Sequence, residues 1–443
     1  MQDISDRIRG ESPEHRQQFI IDVFHSCFAD QMQANPQAWR VKFRKMAASP
    51  FAFYRGSAVL FFTDLADEKD PFHDEKTSRV WIQGDLHGEN FGTYMNSEGV
   101  FVFDVNDFDE SYVAPFTWDL KRLVASLNLI GYQKALSDDE IRQMMATVTR
   151  SYVTQVAQFA NTPETTDFAL TVENTSGKVL ELLQKTRLNT RIELLEQFTN
   201  IENYDRRFIL NKSARSVDSA TRAQVVEAFH AYIETIPPSK RFDGVSYKIK
   251  DVVAFQALGI GSAGRLTYDL LLEGRTQALE NDIIIYMKPA LSAAPSQAIA
   301  DPNIKNYFLH DAHRTVISQR ALQAHADPWL GYTTLNDVGH LVDEASPYKE
   351  DLDWNNINTL EEILEVLGYL GQAIAKIHCV SDDDSDQTLV PFSTEQAIHA
   401  VIAGREEEFV EAMVRFGENY GAIVRDDHRL FVDAFRNHRF PAL

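Results

Sequence analysis

Asp85 and Asn90 stand five residues apart in Gly84-Asp85-Leu86-His87-Gly88-Glu89-Asn90. In a turn between buried strands, that pair suits phosphoryl transfer. The carboxylate can accept the proton of an attacking hydroxyl, and the amide oxygen can ligate magnesium. Magnesium takes oxygen ligands and keeps several waters, so one Asn and one Asp are protein ligands enough. The same spacing also suits a plain hairpin turn whose Asp and Asn satisfy backbone donors. Next comes Phe103-Asp104-Val105-Asn106-Asp107-Phe108-Asp109-Glu110, which crowds acids at the end of an apolar strand. Holding them together is costly without a cation. This stretch reads as a metal site completed by Asn90, or alternatively as a solvated acidic loop. Far downstream, Gly259, Gly261 and Gly264 form a G-x-G-x-x-G pattern around Ser262, with an apolar β-compatible run on either side. A strand after the glycines argues against a dinucleotide-binding turn, which needs a helix there. It favours a glycine-rich hairpin lying over phosphates. A third run ends in Ile285-Tyr286-Met287-Lys288, where a strand lysine could hold phosphates or simply snorkel to solvent.

Residues 84–90 followed by Asp107-Phe108 resemble the catalytic core of the protein-kinase-like superfamily, most closely its aminoglycoside and choline phosphotransferases. Trp118-Asp119-Leu120, with Asp119 twelve residues beyond Asp107, resembles that branch's downstream Asp-Leu, whose Asp braces the catalytic loop. This spacing selects Asp107 over Asp104 as the metal ligand. Residues 49–58, 84–92, 103–110 and 118–123 resemble more closely still a bacterial family known only as domain of unknown function 2252. The resemblance implies an ATP- and magnesium-dependent phosphotransferase. Asp85 would be the catalytic residue, Asn90 and Asp107 the metal ligands, and Gly259, Gly261, Ser262, Gly264 and Lys288 the nucleotide contacts. Asp104, Asp109 and Arg55 are possible additions, and Lys42, Arg44, Tyr54 and Arg55 form a candidate acceptor or phosphate contact. The acceptor is an unidentified hydroxyl compound, expected to be a small molecule. AMP transfer, or a pseudokinase that binds nucleotide without chemistry, are the alternatives.

The order of parts departs from a kinase, where the glycine loop and lysine strand come first. Here Lys288 follows Asp85 by about 200 residues. The segment from Leu367 to His378 resembles the helix that normally runs into the catalytic loop. The expected fold is therefore α+β: a circularly permuted, two-lobe, kinase-like fold with a mainly helical lobe and a smaller antiparallel β-lobe. Two further departures concern the site. Gln83 replaces the usual His, and the segment after Lys288 offers His313, Arg314, Gln319 and Arg320 but no Glu partner, leaving Glu344 or another acid for that role.

The elements that must position these residues follow from periodicity. Residues 1–74 read as a helical segment, and 58–62 as a buried helix or strand. Residues 80–83 read as a short strand, and 91–95 with 100–103 as a hairpin. Ser137 and Glu140 form a capping box ahead of a helix. Residues 75–240 would carry the catalytic and metal loops and the helical lobe, with a boundary at Pro237-Pro238. Residues 241–345 would form the nucleotide-binding lobe, with strands at 252–258, 266–272 and 283–287. Residues 346–443 would return by helices, 360–377 foremost.

The 443 residues carry 43 Lys+Arg against 65 Asp+Glu, a net charge of −22. That balance argues against a nucleic-acid binder and against a polybasic membrane-surface protein. With two cysteines there is no disulfide framework. With no signal-peptide pattern and no long apolar run, the expectation is a cytoplasmic protein.

Overall fold

The computed structural model describes residues 8, 12–66, 68–162, 167–241, 247–256, 266–323, 325–380, 388–441 and 443. Among the described residues, the first long elements are four helices: α1 (Pro13–Ala34), α2 (Pro36–Met46), α3 (Pro50–Gly56) and α4 (Ala58–Leu65). The first three begin alike. A proline occupies the first turn, and Ser12, Asn35 and Ser49 accept hydrogen bonds from the backbone of His15, Ala38 and Ala52. Proline loses nothing where no intrahelical donor is needed, and the cap satisfies an otherwise orphaned amide. The apolar run at 58–62 is therefore a helix, and it is buried throughout.

Next come β1 (Val80–Ile82), β2 (Phe91–Met95), β3 (Phe101–Val105) and β4 (Tyr112–Ala114). β1 pairs antiparallel with β4, and β2 with β3, so the 91–105 hairpin forms as expected. Its turn places Gly99 at φ 79°, while the Asn96 side chain accepts from the Glu98 and Val100 amides. Helices α5 (Thr117–Gln133), α6 (Asp138–Phe159), α7 (Gly177–Thr186) and α8 (Arg191–Phe198) follow. The Ser137–Glu140 capping box opens α6.

A small hairpin, β5 (Thr199–Glu202) with β6 (Asp205–Phe208), leads to β7 (Ala214–Ser216) and α9 (Ser219–Ile233). The main sheet is completed by β8 (Ile249–Gln256), β9 (Leu266–Leu272), β10 (Ile283–Pro289), β11 (Gly331–Leu335) and β12 (Val338–Glu344). Its order is β11-β12-β10-β9-β8-β7, with every pairing antiparallel. Short helices α10 (Pro295–Ala298) and α11 (Pro302–Tyr307) and the longer α12 (Asp311–Gln323) connect β10 to β11. After β13 (Glu350–Asp351), the chain ends in α13 (Leu360–Cys379), α14 (Thr394–Ile402) and α15 (Glu406–Arg436). The architecture is thus mixed α+β with antiparallel sheets. Among the described residues, no helix is long and apolar enough to cross a membrane.

The expected break at 240/241 does not divide the core. Val225, Phe229 and Tyr232 of α9 pack with Leu270, Ile285, Met287 and Val342 of the sheet. β7 also pairs with β8. The sheet therefore draws on residues before Pro237. Alternation within β10 buries Ile285 and Met287 beneath α9 and leaves Tyr286 and Lys288 on the opposite face.

The helical body is pinned by a buried charge cluster. Arg16 of α1 donates Nε and Nη2 to Asp427 of α15 at 3.0 and 2.7 Å, and Nη1 and Nη2 to Asp64 of α4 at 2.8 and 2.7 Å. Removing one partner strands the others in an apolar interior. Arg16→Met should lower unfolding free energy by about 3–5 kcal/mol. Adding Asp64→Leu and Asp427→Leu should recover most of that loss. Chemical denaturation measures both, and a single variant as stable as the parent rules out a structural role for the cluster.

Candidate active site

The 83–90 loop is held from behind. Asp119, in the first turn of α5, accepts the backbone amides of Gln83 at 2.7 Å and Gly84 at 2.9 Å. Gly84 sits at φ 83°, and a Cβ there would lie 2.1 Å from the Glu110 carbonyl oxygen, so only glycine fits. Asp119 is steadied in turn by His378, at 3.3 Å near the end of α13, and His378 meets the Tyr152 hydroxyl at 2.9 Å. His378 is thus structural, and it delivers the end of α13 to a loop nearly 300 positions earlier. His87 is buried too, and burial pushes its imidazole well below its ordinary value.

Asp85 projects from this brace. Arg122 Nε donates to its carboxylate at 2.5 Å. The Arg122 guanidinium is fully buried, 4.3 Å above the Tyr54 ring, and also donates to the Tyr54 carbonyl. Burial raises the Asp85 carboxyl, Arg122 opposes this, and the net value is about 6. Asn90 donates its amide nitrogen to the Asp85 carbonyl at 2.9 Å, and its own carbonyl accepts from Asn106 at 3.0 Å. The 83–90 and 104–110 loops are therefore tied backbone to backbone, and among the described residues the Asn90 side-chain oxygen has no hydrogen bond.

The acids of 104–110 separate by partner. Asp104, a possible metal residue from sequence, is buried and takes the Lys376 ammonium of α13 at 2.5 Å; it belongs to the core. Asp109 pairs with Lys288. Glu110 accepts the Ala294 amide, and burial raises its carboxyl to about 7. Asp107 differs from all three. It adopts φ 56°, a conformation Asp tolerates better than most residues. Among the described residues, its carboxylate has no hydrogen bond or ion pair. Solvent reaches it from the cleft, yet the surrounding walls and neighbouring Asp109 raise it to about 6. No group of three or more His, Cys, Asp or Glu converges on one point among the described residues.

Lys288 reaches this loop from β10. Its partner is Asp109, not an acid of α12, and Glu344 is taken by Arg191 instead. Against the pull of burial, Asp109 and Asp107 hold the Lys288 ammonium charged well above its ordinary value. The glycine pattern, with Gly259, Gly261, Ser262 and Gly264, lies outside the described residues. The strands β8 and β9 on either side of it pair antiparallel up to Gln256 and Leu266.

Two cavities meet here. One, of about 310 Å³, is a cleft lined by Asn90, Asp107, Asp109 and Lys288, with Asp343 and Lys349 behind them. The other, of about 350 Å³, includes Asp85, Glu110 and Lys42. Arg55, at the end of α3 and paired with Glu89, lines both. Of its expected companions, Arg44 faces a separate basic pocket beside Arg40 and Arg436, and Tyr54 is buried with its hydroxyl on the Arg122 carbonyl.

Two groups of residues went unassigned from sequence. Arg122 stands three positions after Asp119, and nothing in that spacing marks its contact with Asp85. Lys349 binds Asp343 at 2.5 Å and lies 3.7 Å from Asp327, while Tyr286 donates to Asp343 at 3.2 Å. Nothing local marks that second group.

Fold and site together define a mixed α+β protein in which Asn90, Asp107 and the strand residue Lys288 line one cleft and Asp85 of the same braced loop opens on the neighbouring cavity. The chain belongs to a family described as uncharacterised protein conserved in bacteria (DUF2252), whose model matches residues 34–434. No curated protein and no solved structure matches it.

Proposed function

We propose that the protein is an ATP- and magnesium-dependent phosphotransferase with a circularly permuted kinase-like fold, acting on a hydroxyl of a small molecule. The observation that carries this reading is the meeting of Lys288 with the Asp107–Asp109 loop and the Asp85–Asn90 loop, across about 180 residues of chain. Permutation preserves such contacts while reordering the parts, and the approach of α13 to Asp119 supports the same reordering.

In the proposed reaction Asp85 takes the acceptor's hydroxyl proton. The hydroxyl oxygen forms a bond to the γ-phosphorus, and the bond from that phosphorus to the β–γ bridging oxygen breaks. Its electron pair stays on ADP. Lys288 neutralises phosphate charge, joined by the amides of the glycine pattern. Asn90 and Asp107 would hold magnesium, which offsets the developing charge on the phosphates. Arg122 fixes the Asp85 carboxylate toward the second cavity.

One observation favours a second reading, the nucleotide-binding pseudokinase. Lys288 is already neutralised by Asp109, so phosphate binding must compete with that pair. Both readings predict thermal stabilisation by ATP with magnesium, about 2.7 kcal/mol at a hundredfold excess over the dissociation constant. Only the enzyme releases ADP, and an AMP transferase would instead leave a product heavier by AMP. Absence of any magnesium-dependent stabilisation by ATP removes the nucleotide site altogether.

A further inference from the structure

The second cavity has a wall chemistry of its own. It is built by α1, α2, α3 and α4 together with the segment after β10, and it opens on Asp85 and Glu110. Asn90, Asp107 and Lys288 do not line it; they face the cleft. The proposed proton acceptor and the proposed phosphate ligands therefore look into different chambers, with Arg55 common to both. In-line transfer is compatible with this arrangement, since acceptor and leaving group approach phosphorus from opposite sides.

Resting on the phosphotransferase reading, we infer that this second cavity is the acceptor site and that its acceptor is an uncharged polyol or sugar of monosaccharide size. The volume, about 350 Å³, lies near the lower end for small-molecule pockets. Charged groups in the wall already have counterparts. Asp85 is held by Arg122, Arg55 by Glu89, and Asp311 accepts the Ser292 hydroxyl at 3.1 Å. Glu110 accepts an amide, and the Lys42 ammonium lies over the rings of Trp39 at 4.6 Å and Phe28 at 5.2 Å. A ligand with net charge would have to compete with these contacts. What the wall still offers is interleaved donors and acceptors, from Gln31 and Gln297 and the accepting lone pairs of the Ser292 hydroxyl beside the carboxylates, and the apolar Ala58 and Val59. Hydroxyls both donate and accept, so a polyhydroxylated ring matches that mixture where a purely anionic or cationic group does not.

The transfer balances as above: the acceptor's proton goes to Asp85, an oxygen–phosphorus bond forms, and ADP leaves with the bridging electron pair. The test incubates full-length protein with ATP and magnesium, adding aldohexoses, aldopentoses and inositols in turn. Released ADP and product mass are followed. At least one compound is expected to stimulate ADP release and to gain one phosphoryl group. Gln31→Leu removes a donor and acceptor, and Ser292→Trp, at an exposed position, blocks the mouth. Each should lower kcat/KM for that compound by about tenfold or more while ATP–magnesium stabilisation persists. The inference is overturned if ATP–magnesium stabilises the protein yet no member of the panel is phosphorylated. It is equally overturned if a phosphorylated member is indifferent to both variants, or if a charged amino acid or peptide is the better acceptor. Loss of stabilisation in the unsubstituted protein is a different result, which overturns the phosphotransferase reading first.

Discussion

Asp85→Asn is expected to lower phosphoryl transfer by about 10²–10⁴-fold, the usual contribution of a positioned general base, with ATP–magnesium binding nearly unchanged. Asn is the informative replacement because Arg122 is fully buried against Asp85 and Tyr54. Alanine would leave that guanidinium without its acceptor, and lost activity would then be confounded with lost stability. An amide oxygen still accepts from Arg122 Nε but takes no proton from a hydroxyl. The pH profile supplies an independent reading. The Asp85 carboxyl stands at about 6, above its ordinary value, so its basic form is lost as pH falls through 6. The rate should rise from pH 5 to about 7 and then level off, and this ionisation should vanish from the profile of the Asn variant. Full turnover by Asp85→Asn would remove Asp85 from the chemistry. An unchanged pH profile would assign the ionisation elsewhere, with Glu110, at about 7, the next group to substitute.

How much of this was legible in the sequence depends on how far each interaction reaches. The 91–105 hairpin, the Ser137–Glu140 cap and the strand carrying Lys288 rest on turn chemistry and periodicity within a few residues. Asp107 is preferred over Asp104 only because its twelve-residue distance to Asp119 matches what the family resemblance implies. What separates the two acids physically is not local. Asp104 is neutralised by Lys376, 272 positions away on α13, and no pattern around Asp104 foretells that lysine. The missing partner of Lys288 is a similar case. A search along α12 for a glutamate could not succeed, because Asp109 comes from the far side of the cleft. β7 has three residues, too few to show alternation, so the sheet's true beginning before Pro237 left no trace in the pattern.

Asp107→Asn should abolish the magnesium dependence of nucleotide binding. The variant should bind ATP equally with magnesium or with chelator, and its affinity for ATP–magnesium should fall by about tenfold or more. Removing a residue that only hydrogen-bonds a metal ligand costs about 10–100-fold in metal affinity, so losing a direct ligand should cost at least as much. The choice of Asn again follows from the backbone. Asp107 adopts φ 56°, which Asn accepts and most other residues resist, so the loop that carries Asp109 and Glu110 should keep its shape. The ion pair between Lys288 and Asp109 also survives the substitution. Nucleotide affinity without metal therefore stands as an internal control for the phosphate cradle. The comparison with Asp104→Asn sharpens the result. That change strands the buried Lys376 ammonium, so it should lower thermal stability and leave the ratio of ATP affinities with and without magnesium unaltered. Asp107 would be excluded as the metal ligand if Asp107→Asn kept the parent's magnesium dependence. The role would pass to Asp104 if instead the Asp104 variant lost it, against the burial that places Asp104 in the core.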